Sequence, residues 1–341
     1  MREVGGRMGA EGDVTSATES GPRSVLPSRP VGSERCVYCA GPVVHALSAR
    51  APDRPAGPVY DYVECTVCGG LALSPSEAAA EVDYAGDYYT ARQRIAGRVP
   101  PLVRVLRRRL TRFRLGLRAG RFARAVSGRR YGRFDWFRRT GIGPDDAILD
   151  VGCGSGRLLF RLHADGFRDL VGLDPNLPPA TAARAADHPG LRFERGTPQS
   201  HRGRYRLVMA HHSFEHMPGP RASFAALAAL VAPGGCLLLR VPLADSFARR
   251  HYGAAWAQLD PPRHLHLPTR ASLEHLAAAE GFAIFHVEDD SGVFQIQGSE
   301  RDRPRGGPAR LVHWLAARRA AGRLRRAGRG DQAAFYLRRL T

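Results

Sequence analysis

Glycine stands at every second position in Gly152-Cys153-Gly154-Ser155-Gly156, and the apolar run Ile148-Leu149-Asp150-Val151 leads straight into it. Arg157-Leu158-Leu159-Phe160-Arg161-Leu162 follows and reads as a helix. Without Cβ atoms the loop can turn sharply and let a ligand reach the main chain. At a junction of strand and helix, such a loop is a cradle for a nucleotide cofactor. The dinucleotide fingerprint G-x-G-x-x-G is not met, because its third glycine would fall on Arg157. Leu170-Val171-Gly172-Leu173-Asp174 reads as a second strand ending in a carboxylate. Asp174 lies about twenty residues beyond the glycines, where an acceptor for ribose hydroxyls usually stands.

Two further sets of side chains could do chemistry. Cys36-Val37-Tyr38-Cys39 and Cys65-Thr66-Val67-Cys68 are two C-x2-C knuckles, with twenty-five residues between them. Each pair can present two thiolates to one tetrahedral ion, so Cys36, Cys39, Cys65 and Cys68 are candidate ligands for a structural Zn2+. A disulfide pairing is the competing reading, disfavoured where doubled knuckles occur in a reducing compartment. Cys153 and Cys236 stand alone, as small buried apolar groups. Histidines crowd the expected mouth of the sheet: His211, His212 and His216 follow the apolar run Leu207-Val208-Met209-Ala210, and His264 and His266 come later. An imidazole titrating near neutrality is a natural base, or else a hydrogen-bonded packing residue. His264 is the first candidate for a catalytic role and His216 the second.

These side chains need a sheet to position them. Leu207–Ala210, 236–242 and Phe282–Val287 read as further strands, Pro233-Gly234-Gly235 as a turn, and 272–280 and 310–325 as helices. The expected divisions are a disordered tail (1–30), a zinc ribbon with hinge (31–90), a basic helical cap or linker (91–140) and an α/β domain (141–341). In the cap, Leu102, Leu106, Leu110, Phe113 and Leu117 recur at helical spacing among arginines. That stripe either packs on the α/β domain or lies on an anionic membrane surface; packing is the preferred expectation. All fifty-one basic residues are arginine, and the net charge is +19. GC-rich coding explains arginine in place of lysine, but not the excess over acids, which favours anionic partners. No run of eighteen apolar residues and no signal-like start is present, so a cytoplasmic protein is expected.

The pattern D-x-G-x-G-x-G resembles the first motif of class I S-adenosylmethionine-dependent methyltransferases. Several companions agree with it: Asp174, the loop Phe214-Glu215-His216 after the fourth strand, and Pro233-Gly234-Gly235 before the fifth. Phe214 replaces the leucine usual in that loop. The knuckles, followed by Leu71-Ala72-Leu73-Ser74-Pro75-Ser76 and a tyrosine-bearing stretch (Tyr84, Tyr88, Tyr89), are similar to bacterial methyltransferases with an N-terminal zinc ribbon (the methyltransferase-23-like group). Trp256-Ala257-Gln258-Leu259-Asp260-Pro261-Pro262-Arg263-His264 looks like that group's W-x-x-x-D-P-P-R-H insert. Gly330-Asp331 resembles the start of its closing strand.

The resemblance implies a Rossmann-like seven-stranded sheet and S-adenosyl-L-methionine as cofactor. Asp150, Gly152, Gly154 and Gly156 would hold its methionyl end and Asp174 its ribose. The insert would line the substrate side of the cleft and present His264. Methyl transfer is an in-line displacement helped by alignment and by a positioned base. His212-x-x-Glu215-His216 resembles the E-x-x-E-H of ubiquinone-pathway O-methyltransferases, where a divalent ion meets the substrate, but a histidine replaces the first acid. The expected acceptor is a small molecule, a sugar or a lipid-linked glycan. An rRNA or tRNA methyltransferase is the first alternative, weakened by the absence of an N/D-P-P-Y/F motif after Ala210 and of any aromatic-interleaved basic strip. A non-catalytic cofactor-binding scaffold is the second, kept open by Arg206 where relatives commonly carry aspartate.

Overall fold

The computed structural model describes residues 30–51, 56–74, 101–116, 132–289, 291–300 and 306–340. The expected tail, the tyrosine-bearing hinge and the continuation of the basic helix past Gly116 lie outside them. The N-terminal strands β1 (Pro30–Arg35), β2 (Pro42–Arg50), β3 (Val59–Cys65) and β4 (Leu71–Leu73) pair antiparallel in sequence order. The knuckles are the turns β1–β2 and β3–β4. Their backbones match: Cys36 N–H bonds Gly41 O and Cys65 N–H bonds Gly70 O, with Ala40 and Gly69 in the left-handed region.

The larger sheet holds β5 (Ala147–Val151), β6 (Asp169–Asp174), β7 (Leu191–Arg195), β8 (Tyr205–His211) and β9 (Val231–Pro242), all parallel. A two-residue strand, β10 (His266–Leu267), joins the small sheet instead, antiparallel to β4. β11 (Phe282–Asp289) and β12 (Gln332–Arg339) complete the larger sheet in the order β11-β12-β9-β8-β5-β6-β7. β12 inserts antiparallel between β9 and β11. This is the seven-stranded arrangement expected. Its central strands are continuous apolar runs because both faces are covered. Val208 and Ala210 face one apolar layer, while Leu207 and Met209 face the other, against Phe134 and Phe137 of the helix Gly132–Thr140.

Three local expectations change. Pro233-Gly234-Gly235 is not a turn before β9 but an irregularity inside it, with Gly234 at φ 67° and the β8–β9 register jumping between Tyr205 and Leu207. In the helix Pro101–Gly116, Leu102 and Leu106 are exposed (81% and 65%) and Thr111 is buried instead. Arg108 covers Gly166 at the end of the helix Arg157–Asp165. Among the stripe's described side chains, Leu102, Leu106 and Leu110 do not pack inward as preferred. The insert also differs: Trp256, Leu259 and Leu267 are buried with Tyr62, Leu71 and Leu73 of the ribbon. That shared core, with the β4–β10 pairing, fastens ribbon to insert.

Candidate active site

A cavity of about 740 Å3 opens at the carboxyl ends of β5, β6, β8 and β9. Open α/β sheets bind ligands there because the loops diverge on both sides of the central strands. Gly152, Gly154 and Gly156 all take positive φ, 75°, 53° and 71°. A Cβ on Gly152 would stand 2.3 Å from Ser213 Cβ, and one on Gly156 would stand 2.4 Å from the Phe193 ring. The loop therefore needs glycine for close approach as well as for conformation. Gly156 starts the helix Arg157–Asp165, and Gly166, at φ 107°, ends it.

Asp174 sits at the end of β6, its carboxylate aimed by two backbone amides. Gly154 N–H donates to Oδ2 and Asn176 N–H to Oδ1, both at 2.8 Å. A carboxylate has about four acceptor positions, so roughly two remain for a ligand's hydroxyls. Asp150 is 4% exposed and also lines the cavity. Burial, helped by the nearby Asp174, pushes its carboxyl up to about 7. A cationic group beside it would reverse that shift. Positive-φ glycines, one ready carboxylate and one buried carboxyl awaiting a cation fit a ligand that carries a ribose and an ammonium.

His211, His212, Ser213, His216, Met217 and Arg240 line the same cavity from β8, the loop after it and β9. Ser213 Oγ donates to Val151 O at 2.7 Å, tying this loop to the glycine loop. Glu215, just behind, is fully buried and has no hydrogen-bond donor on either carboxylate oxygen. His212 Nδ1 lies 3.4 Å and His264 Nε2 4.0 Å from Glu215 Oε1. Burial pushes Glu215 up, but His212, His216 and His264 around it outweigh burial and hold it at about 2.

The insert clamps this loop from outside. Leu265 N–H bonds Glu215 O, His216 Nδ1 donates to Arg263 O at 2.8 Å, and His266 Nε2 donates to Met217 O at 2.9 Å. The remaining nitrogen of His266 accepts from Tyr38 Oη at 2.8 Å, and burial holds His266 down at about 4, hence neutral. Tyr38 lies inside the first knuckle, and Arg221 donates to its carbonyl. A hydrogen-bonded line thus runs from the cysteine cluster to the cavity wall.

His264 does not sit where expected. It is 6% exposed, outside the cavity lining, with Nδ1 donating to Gln258 O at 2.7 Å. Burial lowers it to about 4. Asp260 is spent on Arg263, and Trp256 Nε1 points at Asp331, so the insert supports the wall rather than forming it. His216, packed edge-on against His264 at 4.7 Å between ring centroids, does reach the cavity. Sequence reasoning passed over Arg240 and Ser213. The signal for Arg240 was available: an arginine interrupting the apolar strand Leu237–Val241 at its carboxyl end.

The four knuckle sulfurs lie within 4.8 Å of one another, with Cys36–Cys68 at 3.6 Å and Cys39–Cys65 at 3.5 Å. Tetrahedral Zn–S bonds of about 2.3 Å require S···S separations of about 3.8 Å. Tyr38, Val67 and Cys68 N–H groups point at the Cys36 and Cys65 sulfurs, stabilising thiolate charge. The hydrogen bond from Cys68 draws Cys36 down to about 5. The donor set fits one zinc ion.

A family model described as a methyltransferase domain matches residues 106–287. The ubiquinone biosynthesis O-methyltransferase of Erwinia tasmaniensis is 34% identical over 111 residues, covering 30% of this chain and 45% of that protein. Its counterpart from Aromatoleum aromaticum is 32% identical over 111 residues, covering 30% and 47%. The chain spans less than half the length of these relatives. Among solved structures, an S-adenosylmethionine-dependent methyltransferase from Mesorhizobium loti aligns with a TM-score of 0.41 at 18% identity, covering 61% of this chain and 97% of that one.

Proposed function

The chain belongs to the methyltransferase-domain family, as an S-adenosylmethionine-dependent methyltransferase, and on that premise we propose that it methylates a hydroxyl of a small molecule. The observation that carries this reading is one cavity lined by two kinds of group. Gly152, Gly154 and Gly156 with Asp150 and Asp174 are one set; the histidines after β8 and Arg240 on β9 are the other. In this reading Asp174 takes the ribose hydroxyls, and Asp150 and the glycine loop take the methionyl amino end. When bound, the cofactor supplies an electrophilic methyl group. The chain's residues align the acceptor, exclude water and take up a proton. His216 and the histidines beside it form the acceptor side, held by the insert and His264 from behind. Oxygen as the acceptor atom is supported by the relatives named as O-methyltransferases. The four cysteines hold a structural Zn2+ that braces the insert.

The test is transfer of label from methyl-tritiated S-adenosylmethionine to a panel of hydroxylated small molecules, free sugars, lipid-linked glycans and total RNA. Label in a small-molecule ether is the expected result. Label confined to RNA or to glycan would refute the reading.

A further inference from the structure

His211 is held differently from its neighbours. His216, His264 and His266 each donate a ring N–H to a backbone carbonyl. Neither ring nitrogen of His211 has a hydrogen-bond partner, although both are buried and the residue lines the cavity. Its ring is fixed by stacking on Trp136, with centroids 4.5 Å apart and planes 29° apart. Stacking sets the ring plane, and both nitrogens stand without a protein hydrogen-bond partner. An imidazole buried with both nitrogens unmet carries a desolvation cost that a bound polar group would remove.

Arg240 completes the feature. His211 ends β8, and Arg240 is its registered partner on β9, so parallel neighbours project to the same face. That face also carries Leu207, Met209, Cys236 and Leu238, and is covered by the helix bearing Trp136. Both His211 and Arg240 line the same cavity as the glycine loop, on β8 beside the loop's own strand β5 and on β9 next to it. We propose that His211 and Arg240 form the acceptor subsite, taking an acidic hydroxyl (a phenol or an enol) whose proton passes to His211 and whose oxyanion faces Arg240. This rests on the hydroxyl-methylation reading and narrows it.

The choice of acidic hydroxyl follows from the surroundings. Burial, with Arg240 and His212 alongside, holds His211 well below the usual histidine range. It is therefore a neutral acceptor at physiological pH and too weak a base for a sugar hydroxyl. A phenol needs less help, and the guanidinium compensates the charge that forms. In the step, the O–H proton moves to an imidazole nitrogen and the oxygen pair forms the new O–C bond to the sulfonium methyl. The C–S bond breaks with its pair left on sulfur, giving neutral S-adenosylhomocysteine and an aryl or enol ether. The imidazolium then returns its proton to water.

The subsite is tested without a natural substrate by titrating 4-nitrophenol, whose phenolate absorbs visible light, into protein saturated with S-adenosylhomocysteine. Wild type should bind it and show the phenolate band at pH values where free 4-nitrophenol is still protonated. His211→Phe keeps an aromatic ring for Trp136 and should bind the probe at least about tenfold more weakly, without the ionisation shift. Arg240→Met should lose the shift too, which keeps the test open if the first variant fails to fold. S-adenosylhomocysteine affinity should stay within about twofold in both. Probe binding equal in wild type and His211→Phe would overturn the proposal, as would no probe binding by wild type that does bind S-adenosylhomocysteine. Failure of wild type to bind S-adenosylhomocysteine would instead remove the methyl-transfer site itself, and the subsite with it.

Discussion

Asp150 should make cofactor binding strongly dependent on pH. Its carboxyl is 4% exposed, and burial with Asp174 nearby raises it to about 7 from an ordinary value of 3.8. In the ligand-free fold the group is therefore protonated below 7, whereas a methionyl ammonium requires the carboxylate. If only the ionised form binds, affinity falls about tenfold per pH unit below 7 and levels off above it. Between pH 8 and pH 5 the loss is about a hundredfold. At pH 6 each S-adenosylhomocysteine bound should release about 0.9 proton. The same shift acts on the empty fold with a definite sign. Between about pH 4 and 7 the unfolded chain gives up this proton and the folded chain keeps it, so stability falls with rising pH and then levels off. Three pKa units correspond to about 4 kcal/mol. Asp150→Asn should remove the pH dependence, weaken binding at pH 8, and make the empty protein more stable than wild type there by up to about 4 kcal/mol. Titration calorimetry from pH 5 to 8, in two buffers of different ionisation enthalpy, reads affinity and proton release together. A wild-type affinity flat across that range, or a variant that titrates like wild type, would refute the role given to Asp150.

Purified under reducing conditions, the protein should carry close to one zinc per chain, and Cys36→Ser or Cys65→Ser should lose it; metal analysis showing none in a folded sample would remove the ribbon as a metal centre. Tyr38→Phe leaves the buried Nδ1 of His266 without its donor, at a cost of about 1–3 kcal/mol. It should speed amide exchange in 213–218 while the zinc stays bound. Unchanged exchange there would mean that the ribbon does not brace the cavity wall.

The readable parts of the site were those made by consecutive residues. Gly152, Gly154 and Gly156 announce a loop whose conformation only glycine tolerates, and Asp174 follows at the distance one crossover helix imposes. The cysteine knuckles are equally local, each closed by hydrogen bonds within six residues. What escaped the sequence depends on distant contacts. The D-P-P-R-H insert was expected at the substrate, yet Leu267 and Trp256 pack against the apolar residues of the ribbon, and His264 lies behind the wall. Tyr38 meets His266 across 228 positions, and no periodicity encodes that. The leucines of the helix Pro101–Gly116 show the converse limit: helical spacing marks a face, but not what covers it.

The central claim is that this glycine loop and the two carboxylates hold S-adenosylmethionine with its methyl group turned toward His211 and Arg240. A crystal structure with S-adenosylhomocysteine bound tests it most directly. The ribose hydroxyls should lie within hydrogen-bond distance of Asp174, the amino group should meet Asp150, and the sulfur should face the wall formed by His211, His216 and Arg240. A ligand bound elsewhere, or one whose sulfur points away from that wall, would contradict the account.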